Sequence, residues 1–233
     1  MTEPQILHQR ERATAAQGEF IRRVYNWMGL GLALTAVVAL YTASNHALLS
    51  YILGNSLIFF GLIIGQLALV IVLSAAINRI QASTAFLLFF VYSALTGLTL
   101  SVIFLAYTRA SIASTFFVTA GTFAVMSFYG YTTQRDLTSW GSFLFMGLVG
   151  IILASVVNIF LHSETVYWVV TYAGILIFVG LTAYDTQTLK AMAQAGFADE
   201  ETERKSAVMG ALRLYLDFIN LFLMLLRVMG ERR

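Results

Sequence analysis

Apolar residues run through this chain in blocks of about 20, the length a helix needs to cross about 30 Å of hydrocarbon. Six blocks are clear: Val24 to Ala43, Tyr51 to Ile77, Thr84 to Tyr107, Ala113 to Tyr131, Ser142 to Leu161 and Val166 to Leu189. A seventh, Ser206 to Met229, is long enough but carries Arg213, Asp217, Asn220 and Arg227. The blocks are far longer than barrel strands of about 10 residues and show no period-two alternation. The pattern predicts an all-α polytopic membrane protein with seven transmembrane helices. Short links such as SNHALLS, NRIQAS and TQRDLTS predict antiparallel neighbours in one bundle, with a longer link from Lys190 to Lys205. No internal repeat stands out. The expected organisation is a polar tail over residues 1–21, a membrane domain over 22–230 and a short tail over 231–233.

Within the seventh block, Ser206, Gly210, Arg213, Asp217, Asn220, Met224 and Arg227 recur at alternating spacings of four and three. On a helix they form one narrow stripe. Lipid cannot solvate such a stripe, so this helix is expected to be central, wrapped by the other six or facing a water-filled cavity. The plainer alternative is that Arg213 and Asp217 form an intrahelical ion pair that only supports packing. That leaves Asn220 unexplained, together with a second acid, Asp185, in the preceding span.

Composition strengthens the membrane reading. The chain is 59% hydrophobic and 11% charged, against about 25% charged in a soluble domain. Its net charge of +2 is dispersed, which gives no footprint for nucleic acid. With no cysteine, disulfides, thiolate metal sites and cysteine nucleophiles are excluded. The N-terminal residues mix Glu3, Glu11 and Glu19 with Arg10 and Arg12 and lack the pattern of a signal peptide.

Lysine and arginine in the short loops set the expected orientation. With the N-terminus cytoplasmic, the inner segments hold Arg10, Arg12, Arg22, Arg23, Arg79, Arg135, Lys190, Arg204 and Lys205, and the outer loops before the last span hold only Arg109. A seventh crossing places Arg227, Arg232 and Arg233 outside, against that rule. The block therefore either crosses or re-enters, and the parity of the spans favours crossing.

Asp185 and Asp217 carry the functional reading, because an acid at bilayer depth marks a functional site by default. They are equidistant from residue 201, so in a helical hairpin turning there they stand at about one depth. Two such carboxylates cannot both ionise cheaply and should share a proton, which makes a pH-sensitive latch. Arg79, at the cytoplasmic end of the second span, is the natural counter-charge, or else an arginine snorkelling to the interface. Tyr184, Tyr215, Arg213 and Asn220 form the polar surroundings.

The blocks GLTAYDTQ and LYLDFINLFLMLLR, together with GLTLSVIFLAYTRASIASTFF, resemble the transmembrane Bax inhibitor motif family, to which Bax inhibitor-1 belongs, and specifically its bacterial branch. The resemblance covers nearly all of residues 20–230. It implies seven helices with the last one central, residence in the bacterial inner membrane, and a pH-sensitive calcium leak. It also implies a diaspartyl sensor matching Asp185 and Asp217, with a second-helix arginine corresponding to Arg79. The ERR terminus lacks the lysine-rich tail of some animal relatives, so regulation through that tail does not carry over.

Calcium takes six to eight oxygens. Asp185, Asp217, Asn220 and backbone carbonyls offer a transient permeation site rather than a tight one, so Ca²⁺ is expected as a permeant ion and no cofactor is expected. The connector acids Asp199, Glu200, Glu201 and Glu203 either concentrate cations at a mouth or form a solvated loop. Two other classes compete. An intramembrane aspartyl protease shares the AYD motif at 183–185, but its second Gly-x-Gly-Asp motif is missing, since Leu214, Tyr215 and Leu216 precede Asp217. Serine and zinc chemistry lack their motifs, with His8, His46 and His162 in tails or loops. A regulator of other membrane proteins, such as a membrane-bound protease, is the remaining class, and Gly61 and Gly65 would permit close helix contact. The expected partners are therefore the lipid bilayer, Ca²⁺, protons and other membrane proteins.

Overall fold

The computed structural model describes residues 3–233, and side chains from residue 15 onward. The chain folds into α1 Glu3–Ser44, α2 His46–Gly54, α3 Ser56–Ala76, α4 Ala82–Leu100, α5 Ile103–Ala106, α6 Arg109–Thr132, α7 Thr138–Leu161, α8 Glu164–Ala195 and α9 Glu200–Met229. Seven helical stretches are long and apolar enough to cross a membrane, with α4 and α5 counting as one. α9 is a single unbroken helix, so it has the length of a full crossing and is not a re-entrant pair.

The boundaries depart from the sequence pattern where polar side chains cap helices. Asn55 accepts from the N–H groups of Leu57 and Ile58 and starts α3, while Asn45 accepts from Leu48 and starts α2. Residues 51–54 therefore belong to a separate short helix, not to the second span, and most of the SNHALLS link is helical. The polar N-terminal stretch continues as helix straight into the first span. The Lys190 to Lys205 link shrinks to residues 196–199 because both helices extend into it. Gly196, at φ +78°, supplies the left-handed step that ends α8, and Asp199 starts α9 by accepting from the Thr202 N–H at 2.7 Å.

Burial separates the helices by role. Only 6% of the most apolar window is buried in α3 and in α7, against 56% in α9. α9 is thus the interior helix despite carrying the charges, because lipid can face an apolar helix on all sides but cannot face this one.

Packing divides the chain into two compact units, Met1–Ala106 with Ala191–Tyr215, and Tyr107–Lys190 with Leu216–Arg233. In the first, α1 and α4 cross closely, since a Cβ on Gly97 would lie 2.7 Å from the Thr35 carbonyl oxygen. Thr35 Oγ1 donates to the Ser93 carbonyl at 2.8 Å and meets the Tyr215 hydroxyl at 2.6 Å. Phe89 and Tyr92 pack edge-on to the Tyr215 ring, each with centroids 5.7 Å away. At the start of α9, Glu203 pairs with Arg23 at 3.2 Å, and Glu201 accepts from the Ala82 N–H at 2.7 Å. In the second unit, Leu144, Ile151, Val170, Phe178, Leu181 and Leu221 form the core. The C-terminal residues fold back there, with Thr108 N–H donating to the Glu231 carbonyl at 3.0 Å.

Candidate functional site

The second unit holds both aspartates, and two glycines decide how α8 presents the first. A Cβ on Gly130 of α6 would fall on the Ala183 carbonyl, and one on Gly141 of α7 would fall on the Tyr184 ring. The α6 and α7 backbones thus pack directly against Ala183 and Tyr184, the two residues preceding Asp185. Gln187, half a turn further, spans the 133–137 loop. Its Oε1 accepts from the Leu137 N–H at 2.9 Å, and its Nε2 donates to the Arg135 carbonyl at 2.8 Å. Lys190 Nζ donates to the Tyr131 carbonyl at 2.7 Å and so caps the last turn of α6.

Asp217 lies on α9 and is only 5% exposed; Asp185 is half-buried. Neither is without an interaction partner. A Cβ on Gly174 would touch Met224 at 3.2 Å. Counting in opposite directions along α8 and α9 from that contact sets Asp217 beside Leu181. Asp185 is therefore offset by four residues, about 6 Å along the axis. The sequence argument, with the turn centred on residue 201, set the two level, whereas the real turn lies at 196–199. Each Cβ leans toward its own helix N-terminus, so on antiparallel helices these side chains lean toward each other across that offset.

The remaining predicted residues divide between the two units. Asn220 is half-buried, and its Nδ2 donates to the Leu216 carbonyl at 2.8 Å. Tyr184 is half-buried against Gly141. Arg213 is exposed and Arg79 lies exposed in the turn after α3, both in the first unit. Tyr215 is fully buried in that unit and is committed to Thr35. Arg227 lies over the Tyr167 ring at 5.3 Å. The connector acids are structural: Asp199 caps α9, while Glu200, Glu201 and Glu203 sit in its first turn beside the positive end of the helix dipole and pair with Arg204, Lys205 and Arg23. The Thr202 backbone N–H and hydroxyl hold the Asp199 carboxyl below the usual aspartate range. Outside the spans, Asp136 is likewise held low by the hydroxyl and N–H of Thr138.

Sequence reasoning missed Gly130, Gly141 and Gln187. Gly130 and Gly141 carried no signal beyond their type. Gln187 stood in the quoted YDTQ block but was given no role.

The family model described as "Inhibitor of apoptosis-promoting Bax1" matches residues 17–233. The chain belongs to this family. It is 59% identical to the inner membrane protein YbhL of Escherichia coli strain K12 over 215 residues, 92% of each chain. An uncharacterised protein of Borreliella burgdorferi is 47% identical over 97% of this chain and 98% of its own. The uncharacterised protein RP147 of Rickettsia prowazekii is 44% identical over 92% and 90%. As a member of the Bax1-inhibitor family with seven candidate spans, the chain is a membrane protein resembling an inner membrane protein over nearly its whole length.

Proposed function

We propose that this protein is a pH-sensitive cation leak of the bacterial inner membrane, with Ca²⁺ as a permeant ion, N-terminus cytoplasmic and no catalytic activity. The observation that carries this reading is Asp217, 5% exposed within the most buried spanning helix, in one compact unit with Asp185. Carboxyls that lean together from antiparallel helices inside hydrocarbon share protons rather than both ionising, and a shared proton makes the local packing depend on pH. Asp185 and Asp217 are the proposed oxygens that a passing Ca²⁺ meets. Calcium uptake into proteoliposomes across a pH series tests the reading: uptake that depends on pH and on protein supports it, and liposomes that stay tight at every pH remove it.

A second reading, a regulator that binds other membrane proteins, draws on α3. Gly61 and Gly65 have open space where a Cβ would stand, so this helix could admit a partner helix at close range. Co-purification of a membrane protein that Gly61→Leu abolishes would favour it.

A further inference from the structure

The two ends of α9 treat their basic residues differently. Around its start, Arg23, Arg204 and Lys205 pair with the carboxylates of Glu203, Glu200 and Glu201. Beyond its end, Arg227 is followed by Arg232 and Arg233, and none of the three forms an ion pair among the described residues. Arg109, the first residue of α6, likewise forms none. The C-terminal residues return to that start: Tyr107 and Arg232 form an antiparallel bridge, and the Thr108 N–H donates to the Glu231 carbonyl at 3.0 Å. A Cβ on Gly230 would fall on the Tyr107 ring and the Leu226 carbonyl, so glycine is what lets the chain turn back this closely.

In place of carboxylates, these arginines meet aromatic rings. The Arg227 guanidinium lies over the Tyr167 ring at 5.3 Å. Hydrogen bonding to the Tyr107 hydroxyl, and interaction with Tyr167 after it, hold Arg232 above the usual arginine range. Trp168 packs edge-on to Tyr167 at 5.5 Å and stacks on Tyr172 at 5.8 Å. Tyrosine and tryptophan gather at the level of lipid headgroups, and from this cluster Val169, Tyr172 and Leu176 continue exposed along one face of α8. Ring faces and phenols attract a guanidinium without neutralising it. Even counting Glu164, Glu231 and a carboxylate at Arg233, the four arginines keep a positive excess, and Glu164 is turned to the Trp168 indole N–H at 3.4 Å. Positive charge at headgroup depth, beside an apolar face that runs on into hydrocarbon, is complementary to an acidic lipid, and the guanidinium fork matches phosphate oxygens.

We propose that Arg227 and Arg232, set on Tyr167 and Tyr107, bind the phosphate of an anionic phospholipid whose acyl chain lies along Val169, Tyr172 and Leu176 of α8. The site does not depend on the leak reading. It gives a role to arginines whose side of the membrane runs against the distribution of positive charge in the other loops.

Native mass spectrometry of the full chain released from detergent tests the site, with phosphatidylglycerol as the probe and zwitterionic phosphatidylcholine beside it. Wild type is expected to hold one more phosphatidylglycerol than the double variant Arg227→Gln, Arg232→Gln, with affinity at that site falling about fivefold for each arginine removed. Arg135→Gln, which removes an exposed arginine beyond the other end of α6, should hold as many as wild type. Arg232→Gln alone, in the exposed tail, keeps the test open if loss of the Tyr167 contact unfolds the double variant. Equal phosphatidylglycerol retention by wild type and both Arg232 variants, the same loss in Arg135→Gln, or equal retention of phosphatidylcholine would overturn the site. Displacement of the lipid by millimolar inorganic phosphate would overturn it too, in favour of a site for the free anion.

Discussion

The cluster around Tyr215 and the buried hydroxyls of α6 use the same residue types with different outcomes. Around Tyr215, Thr35 Oγ1 accepts from the phenol and donates to the Ser93 carbonyl, while Ser93 Oγ donates to the Phe89 carbonyl at 3.0 Å. Each of these groups is met, and Gly97 lets the α1 and α4 backbones close over them. Along α6, Thr115 and Ser127 are as deeply enclosed but unmet. A satisfied buried polar network rigidifies; an unmet buried hydroxyl costs stability instead. What separates these two groups of residues is whether their hydroxyls are partnered, not how many there are.

The largest effect that tests this contrast is expected at the glycine contacts. Gly130→Ala drives a Cβ into the Ala183 backbone, which cannot yield as a flexible side chain can, and should cost about 1–3 kcal/mol. The thermal midpoint in detergent should fall accordingly, and the pH response of flux should change because α8 shifts beside Asp185. Gly61→Ala, with nothing within 4 Å, should leave both unchanged. Equal effects at the two glycines would mean that this close approach holds nothing in place.

One chemical change made at both hydroxyl sites sharpens the comparison further. Thr35→Val removes the hydroxyl that bridges the Ser93 carbonyl and the Tyr215 hydroxyl, costing about 0.5–1.5 kcal/mol. Thr115→Val removes an unmet buried hydroxyl and should leave stability unchanged or raise it. Similar stability losses at both positions, read by denaturation in detergent, would erase the distinction.

Smaller effects belong to the ionic belt at the start of α9. Arg23→Ala breaks the pair with Glu203, whose side chains are about a third exposed. Discounted for solvent, this should cost about 0.2–1 kcal/mol at low salt and almost nothing in high salt. The smallest concerns Asp199, whose folded carboxyl titrates below its usual range because Thr202 donates to it. A lowered folded value means the stabilisation is fully present above about pH 4 and is lost as pH falls through the folded value. Asp199→Asn should flatten that acid-side dependence and, because asparagine caps a helix about as well as aspartate, leave neutral-pH stability nearly unchanged.

Much of this was legible in the sequence, for identifiable reasons. The spans are set by length and apolarity alone, and a helix carrying Asp217 and Arg227 has to be interior, so their number and the burial of α9 could be read directly. Side-chain capping at Asn45 and Asn55 outcompeted the apolar pattern, which is why the second span begins later than expected. Extension of α8 and α9 by charged but helix-favouring residues shortened their link and moved the turn, which offset Asp217 from Asp185. Arg213 shares a stripe with Asp217 in the sequence but is exposed in the structure. The hydroxyls of α6 drew no reading from the sequence, because only the structure tells which of them are unmet.

The most direct test of the central claim, that the aspartate pair governs a leak, is Ca²⁺ flux in proteoliposomes as a function of pH for wild type beside the double variant Asp185→Asn, Asp217→Asn. Asparagine keeps the volume of each side chain and removes its proton chemistry, so the pH response should flatten while the protein remains folded. A double variant that retains the wild-type pH response would place the sensor elsewhere and contradict the account.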